Sequence, residues 1–86
     1  MALFPVISNF QYDFVLQLVP VDTDNTMDEV AAAAAHHSVG RRVAPQPGKI
    51  VRVRRQGGAD FFPRGVRLGE TDIKPMETLE FIFCEA

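Results

Sequence analysis

The sequence predicts an α+β domain: a mixed sheet of about five strands with one helix across one face, in the order β-β-α-β-β-β. Three observations carry this. Two apolar runs with period-two alternation open the chain, a single capped helical segment follows, and three more alternating runs close it. One helix packed on one face of the sheet is the arrangement that closes a core from this set. At 86 residues the chain makes one domain spanning 1–86. A chain of this size buries only roughly 60–65% of its unfolded surface, so it supports a single thin core.

Each element has its own justification. Ala2–Phe10 alternates, with Phe4, Val6 and Phe10 on one side and Leu3, Pro5 and Ile7 on the other; Pro5 points to an edge or end position. Phe14–Val21 is a second strand, with Phe14, Leu16 and Leu18 on one face and Val15, Gln17, Val19 and Val21 on the other. The short gap between the runs predicts an antiparallel hairpin. Thr26 followed by Glu29 is a capping box, and Asp28 and Glu29 sit where the helix dipole favours negative charge. The helix runs from Met27 to about Val39, with Gly40 as its stop and Arg41 and Arg42 at its negative end. Met27, Val30, Ala31, Ala34 and Ser38 share one stripe. Pro45 and Pro47 carry the chain across in extended form. Lys49–Arg55 is a third strand with Val51 and Val53 inward, and Gln56-Gly57-Gly58 supplies a turn. Asp60–Arg64 reads as a short fourth strand closed by Pro63, Leu68–Pro75 as a turn-rich connection, and Glu77–Cys84 as the last strand with Leu79, Phe81 and Phe83 inward.

The composition, 47% apolar and 23% charged, is that of an ordinary globular domain. One cysteine, Cys84, excludes an internal disulfide framework and CxxC metal knuckles. No run reaches the ~18 apolar residues of a membrane helix. Without a basic, apolar leader at its start, the chain is expected to be cytoplasmic, with no membrane partner.

Charge is segregated. Residues 1–40 carry five acids and no Lys or Arg, whereas residues 41–67 carry eight basic groups against one acid, Asp60. Arg41, Arg42, Arg52, Arg54 and Arg64 are candidates for docking on an acidic protein surface, because Arg forks onto carboxylates and is enriched at interfaces. Nucleic acid is not expected as a partner: the pI of about 5.5 is low, the flanks are acidic, and no exposed-looking aromatics are interleaved for base stacking. From Val30 to Val39 the helix has no charged residue, and its outer face would be Ala32, Ala33, Ala35 and His36. Val15, Val19 and Ile82 are expected on the sheet face away from the helix, where nothing else in the chain covers them. Helix and sheet therefore both predict a surface held by another protein.

Independent chemistry is not evident. His36 and His37 point about 100° apart on a helix and cannot chelate one ion from one face. Cys84 has no neighbour in sequence to activate it. Asp22, Asp24, Asp28 and Glu29 lack the spacing of a calcium loop, and no phosphate loop or catalytic triad is present. No catalytic, metal-binding or cofactor-binding residue is expected in this chain.

The helix returns the chain from one side of the sheet to the other, which is the β-grasp arrangement. Thr26-Met27-Asp28-Glu29-Val30 and the run Leu68-Gly69-Glu70-Thr71-Asp72-Ile73-Lys74-Pro75-Met76-Glu77-Thr78-Leu79-Glu80-Phe81 resemble ubiquitin. The chain ends Cys84-Glu85-Ala86 without a diglycine, so conjugation is not expected.

Phe4-Pro5-Val6, Asp13-Phe14-Val15-Leu16-Gln17-Leu18-Val19, His37-Ser38-Val39-Gly40-Arg41-Arg42-Val43-Ala44-Pro45, Arg52-Val53-Arg54, Phe62-Pro63-Arg64-Gly65 and Pro75-Met76-Glu77-Thr78-Leu79 carry a wider resemblance. Together with the Thr26–Val30 helix start, they resemble the small (gamma) subunit of bacterial multicomponent toluene, benzene and o-xylene monooxygenases, over nearly the whole chain. That resemblance implies a non-catalytic ubiquitin-like subunit docking on a large alpha subunit, and through it a beta subunit, as an (alpha-beta-gamma)2 hydroxylase. It places the diiron centre in the alpha subunit and implies electrons from NADH through a reductase and a Rieske ferredoxin. The lack of a Glu-x-x-His motif here agrees with it. The alternative is a free-standing β-grasp adaptor.

Overall fold

The computed structural model describes residues 3–85. Its elements are β1 (Leu3–Phe10), β2 (Gln17–Asp22), α1 (Met27–Ser38), β3 (Lys49–Arg55), a 3-10 turn (Leu68–Glu70) and β4 (Thr78–Glu85). The sheet order is β2-β1-β4-β3. The two central strands run parallel and both outer strands are antiparallel to their neighbours. With α1 packed across one face, this is a β-grasp fold of the α+β class. Ala2, the first residue of the predicted opening strand, lies outside the described residues.

The strand count is four among the described residues, not five. The predicted strand at Asp60–Arg64 reduces to one bridge, Phe61 to Arg54, and one ladder bond from Phe62 N–H to the Val53 carbonyl. Gly57 and Gly58 turn the chain back on β3, but Pro63 has no N–H to extend the ladder. The segment still places Phe62 against the core and Phe61 beneath the Arg52 and Arg54 guanidiniums, 5.4 and 5.5 Å from its ring centre.

Helix α1 forms as its sequence dictates. Thr26 Oγ1 accepts from the Glu29 N–H, and Glu29 Oε1 accepts from the Thr26 N–H, closing the capping box. The helix ends at Ser38, and Gly40 takes the left-handed φ of +80° that the reversal requires. The buried stripe is Met27, Val30, Ala31, Ala34 and Ser38. It meets Val6 and Phe10 of β1, Val19 and Val21 of β2, Val53 of β3, and Leu79 and Phe81 of β4 in one cluster. Phe10 stacks on Phe81 at 6.2 Å and meets Phe83 edge-on at 5.5 Å. The Ser8 hydroxyl is buried in this layer with no hydrogen-bond partner, a cost on the order of 1–3 kcal/mol.

The hairpin register decides which side of β2 is inside. Val19 pairs with Val6 and Leu18 with Ile7, so Val19 and Val21 enter the core while Leu18 points away from it. Val19 is therefore not on the open face: it is 0% exposed, beneath the helix. Val15 precedes β2 in a bend and is half-buried. The division of β2 into two faces stands, but the branched valines, not Leu16 and Leu18, fill the thin layer under α1.

Candidate functional site

Surface chemistry here begins with the arginines, most of which are already occupied. Arg42 donates from Nε to Asp13 Oδ1 at 2.8 Å and from Nη2 to Oδ2 at 3.1 Å, while Nη2 also reaches the His37 carbonyl at the helix end. Arg54 pairs with Glu80 at 2.6 Å and Arg64 with Asp28 at 2.9 Å. Arg55 holds both Asp72 and Glu77. The hydrogen bond from Arg55 pulls the Asp72 carboxyl below its usual range, and the Arg55 guanidinium is raised in return. The basic block of the sequence thus folds largely against acids from the rest of the chain. Arg41, Arg52 and Arg67 have no carboxylate partner among the described residues. Arg41 donates to the His36 carbonyl and Arg52 to the Phe62 carbonyl.

Asp13 was legible in sequence only as an interruption of an apolar run. In the fold its side chain is fully buried and accepts from four donors: two on Arg42, the Ser38 hydroxyl at 2.7 Å, and the Val15 N–H at 3.0 Å. Arg42 is the largest cause holding the Asp13 carboxyl down at about 2; burial opposes it, and the Ser38 and Val15 hydrogen bonds reinforce it. This cluster ties the loop between β1 and β2 to the C-terminus of α1. Tyr12, in the same loop, takes a left-handed φ of 70° and stacks on Phe83 at 6.2 Å. A tyrosine persists in that conformation only where its surroundings over-determine it.

Of the predicted apolar interface residues, Ile82 lies on the open sheet face, opposite Arg52 of β3. Val15 is half-buried and Val19 is in the core. The large apolar side chains that do stand in solvent are Leu3, Tyr12, Phe14, Leu16, Leu18 and Met76, with Phe14 85% exposed. On α1, Ala32 and His36 are exposed, while Ala33 and Ala35 pack against the core. The small alanine side chains leave a groove of about 300 Å³ between α1 and β3, floored by Ala31, Ala32, Ala35, Ile50 and Val51 and ending at the Asp28–Arg64 pair.

The residues present do not suit an iron centre. Asp28, Asp72, Glu77 and Glu80 are engaged by arginines, Glu29 closes the capping box of α1, and Glu70 Oε1 accepts from the Arg67 N–H. His36 and His37 stand edge-to-face at 5.8 Å. Among the described residues no group of three or more His, Cys, Asp or Glu could hold a metal, and no helix is long and apolar enough to cross a membrane.

Fold and surface together define a small β-grasp domain in which most arginines pair with carboxylates of the same chain. Comparison with known proteins gives the particular family. Residues 3–83 match the family described as toluene-4-monooxygenase system protein B (TmoB). The chain belongs to that family. It is 42% identical over 85 residues to the gamma subunit of the toluene-4-monooxygenase hydroxylase component of Ectopseudomonas mendocina, covering 99% of this chain and 100% of the relative. Over 47 residues, 55% of this chain and 53% of the relative, it is 51% identical to the oxygenase gamma subunit of the alkene monooxygenase system of Xanthobacter autotrophicus. A chain in a solved complex of toluene 4-monooxygenase with the inhibitor 4-bromobenzoate superposes with a TM-score of 0.92 at 41% identity, covering 96% of this chain and 100% of that one. A chain from a structure titled "Molecular Mimicry of SUMO promotes DNA repair" matches with a TM-score of 0.70 at 7% identity, covering 95% of this chain and 92% of that one, which shows the shared fold alone.

Proposed function

We propose that this chain is the non-catalytic gamma subunit of a multicomponent aromatic-ring monooxygenase. It docks on the large alpha subunit of the hydroxylase and supports assembly of an (alpha-beta-gamma)2 complex in the bacterial cytoplasm. The diiron centre that activates O₂ belongs to the alpha subunit, and the electrons come from NADH. The observation that carries this is the match along the whole chain, in sequence and in fold, to a hydroxylase gamma subunit. The pairing of most of its carboxylates with cations or backbone donors supports the same reading.

Coexpression of the tagged chain with the large and beta subunits encoded alongside it tests the proposal. The expected result is a stable complex holding the three chains in equal number, whose aromatic hydroxylation falls when the gamma subunit is omitted. A tagged chain that never retains the large subunit would overturn it.

A further inference from the structure

The outer face of the β1–β2 hairpin is the largest feature of the molecule with no internal purpose. Leu3 and Ile7 of β1 and Leu18 of β2 lie on it, and Leu16 and Phe14 are exposed in the bend that leads into β2. Leu3 is 78% exposed, Phe14 85%, Leu16 58% and Leu18 55%. Side chains of this size and exposure present on the order of 500 Å² of apolar surface, the upper range for a monomer's largest patch. With Pro5 and Pro20 between them, they approach the roughly 800 Å² that one partner contributes to a stable interface. The patch is also stiff. Asp13, Arg42 and Ser38 fasten the loop that bears Phe14 to the helix end, so little side-chain or loop freedom is lost on contact.

We propose that this hairpin face is the seat of the large hydroxylase subunit. The inference rests on the reading of the chain as a hydroxylase subunit and deepens it by naming the surface. Charge selects the occupant. The side chains at the centre of the patch are uncharged. Asp22, paired with Leu3 at its edge, accepts from the Asp24 N–H, and the Asp13 carboxylate beside Phe14 is buried and paired with Arg42, so the complementary surface is apolar and free of charge at its centre. At the rim near the helix end, Arg41 has no carboxylate of its own among the described residues. A second copy of this chain is poorly equipped to supply one, because most of its acids are taken up by its own cations and helix caps. A different chain, with an apolar strip edged by carboxylates, fits both the centre and the rim.

The test uses the coexpressed complex. Phe14→Asp with Leu18→Asp is expected to weaken retention of the large subunit at least tenfold, while Ala32→Asp on the helix side retains it like the wild type. The isolated double variant should keep the wild-type circular dichroism and melting midpoint; if it does not, Phe14→Ala with Leu18→Ala replaces it. A photo-crosslinking residue at position 14 should join this chain to the large subunit. Wild-type protein that fails to assemble refutes the functional reading itself. Assembly of the wild type and of both double variants alike, with a crosslink to the beta subunit or to a second copy, refutes the assigned face and leaves the functional reading standing.

Discussion

Leu18 and Val19 are neighbours on one strand and live under opposite rules. Val19 is sealed between the sheet and α1, whereas Leu18 is 55% exposed on the face that none of the described residues covers. The two faces of this sheet are both apolar over the β1–β2 hairpin, yet only one has a layer to close it. A lone domain rarely leaves so large an apolar area in water. The difference is that one face of this sheet completes a core while the other leaves large apolar side chains in solvent.

Substitutions across the two faces separate these roles, and the largest effect belongs to the sealed side. Val19→Asp buries an unpaired charge and should leave the isolated chain unfolded by circular dichroism, a cost above about 4 kcal/mol. Phe81→Ala removes a fully buried ring that stacks on Phe10 and should lower the unfolding free energy by roughly 3–5 kcal/mol in denaturant titration.

Between the two faces lies the Asp13 cluster. Asp13→Ala leaves Arg42 and Ser38 without their acceptor and should cost about 2–3 kcal/mol, measured the same way. Its pH dependence has a definite sign. The folded carboxyl sits at about 2, below its ordinary 3.8, so its contribution is complete above the ordinary value and disappears as pH falls toward the folded one. Wild type should therefore lose stability relative to Asp13→Ala between about pH 4 and pH 2.

On the open side the effects on folding shrink. Arg52→Glu with Arg54→Glu removes the stacking on Phe61 and sets a glutamate opposite Glu80, which should cost about 1–2 kcal/mol while leaving the circular dichroism signal folded. Leu18→Asp should change the isolated chain's stability by less than about 0.5 kcal/mol, because it leaves no cavity and buries no charge. A cost for Leu18→Asp comparable to that of Val19→Asp would erase the distinction between the two faces.

Much of the fold was legible from short-range signals. The capping box at Thr26, the stripe from Met27 to Ser38 and the inward set Leu79, Phe81 and Phe83 follow from periods and caps, which are local. The side of β2 that faces the helix was not legible, because both of its faces are apolar and period two gives no sign. That choice is made by pairing, Leu18 with Ile7 and Val19 with Val6, across a six-residue loop. The fourth of the five predicted strands failed for a similar reason: Phe61 and Phe62 have strand character, but Pro63 stops the ladder. The basic block looked like a free patch because its partners Asp13, Asp28, Asp72 and Glu80 are distant in sequence. The one signal for the Asp13 cluster was an isolated acid in an apolar run, to be matched with arginines just beyond the helix.

The closed ion pairs have a kinetic consequence. Opposite charges held 2.6–3.1 Å apart largely cancel at a distance, and with a net charge of −2 the chain exerts only a weak long-range field on an approaching partner. Encounter then proceeds at the unsteered rate of roughly 10⁵–10⁶ M⁻¹s⁻¹ and should vary little between low and high ionic strength. Such a subunit is recruited slowly, and its occupancy is governed by how seldom it leaves.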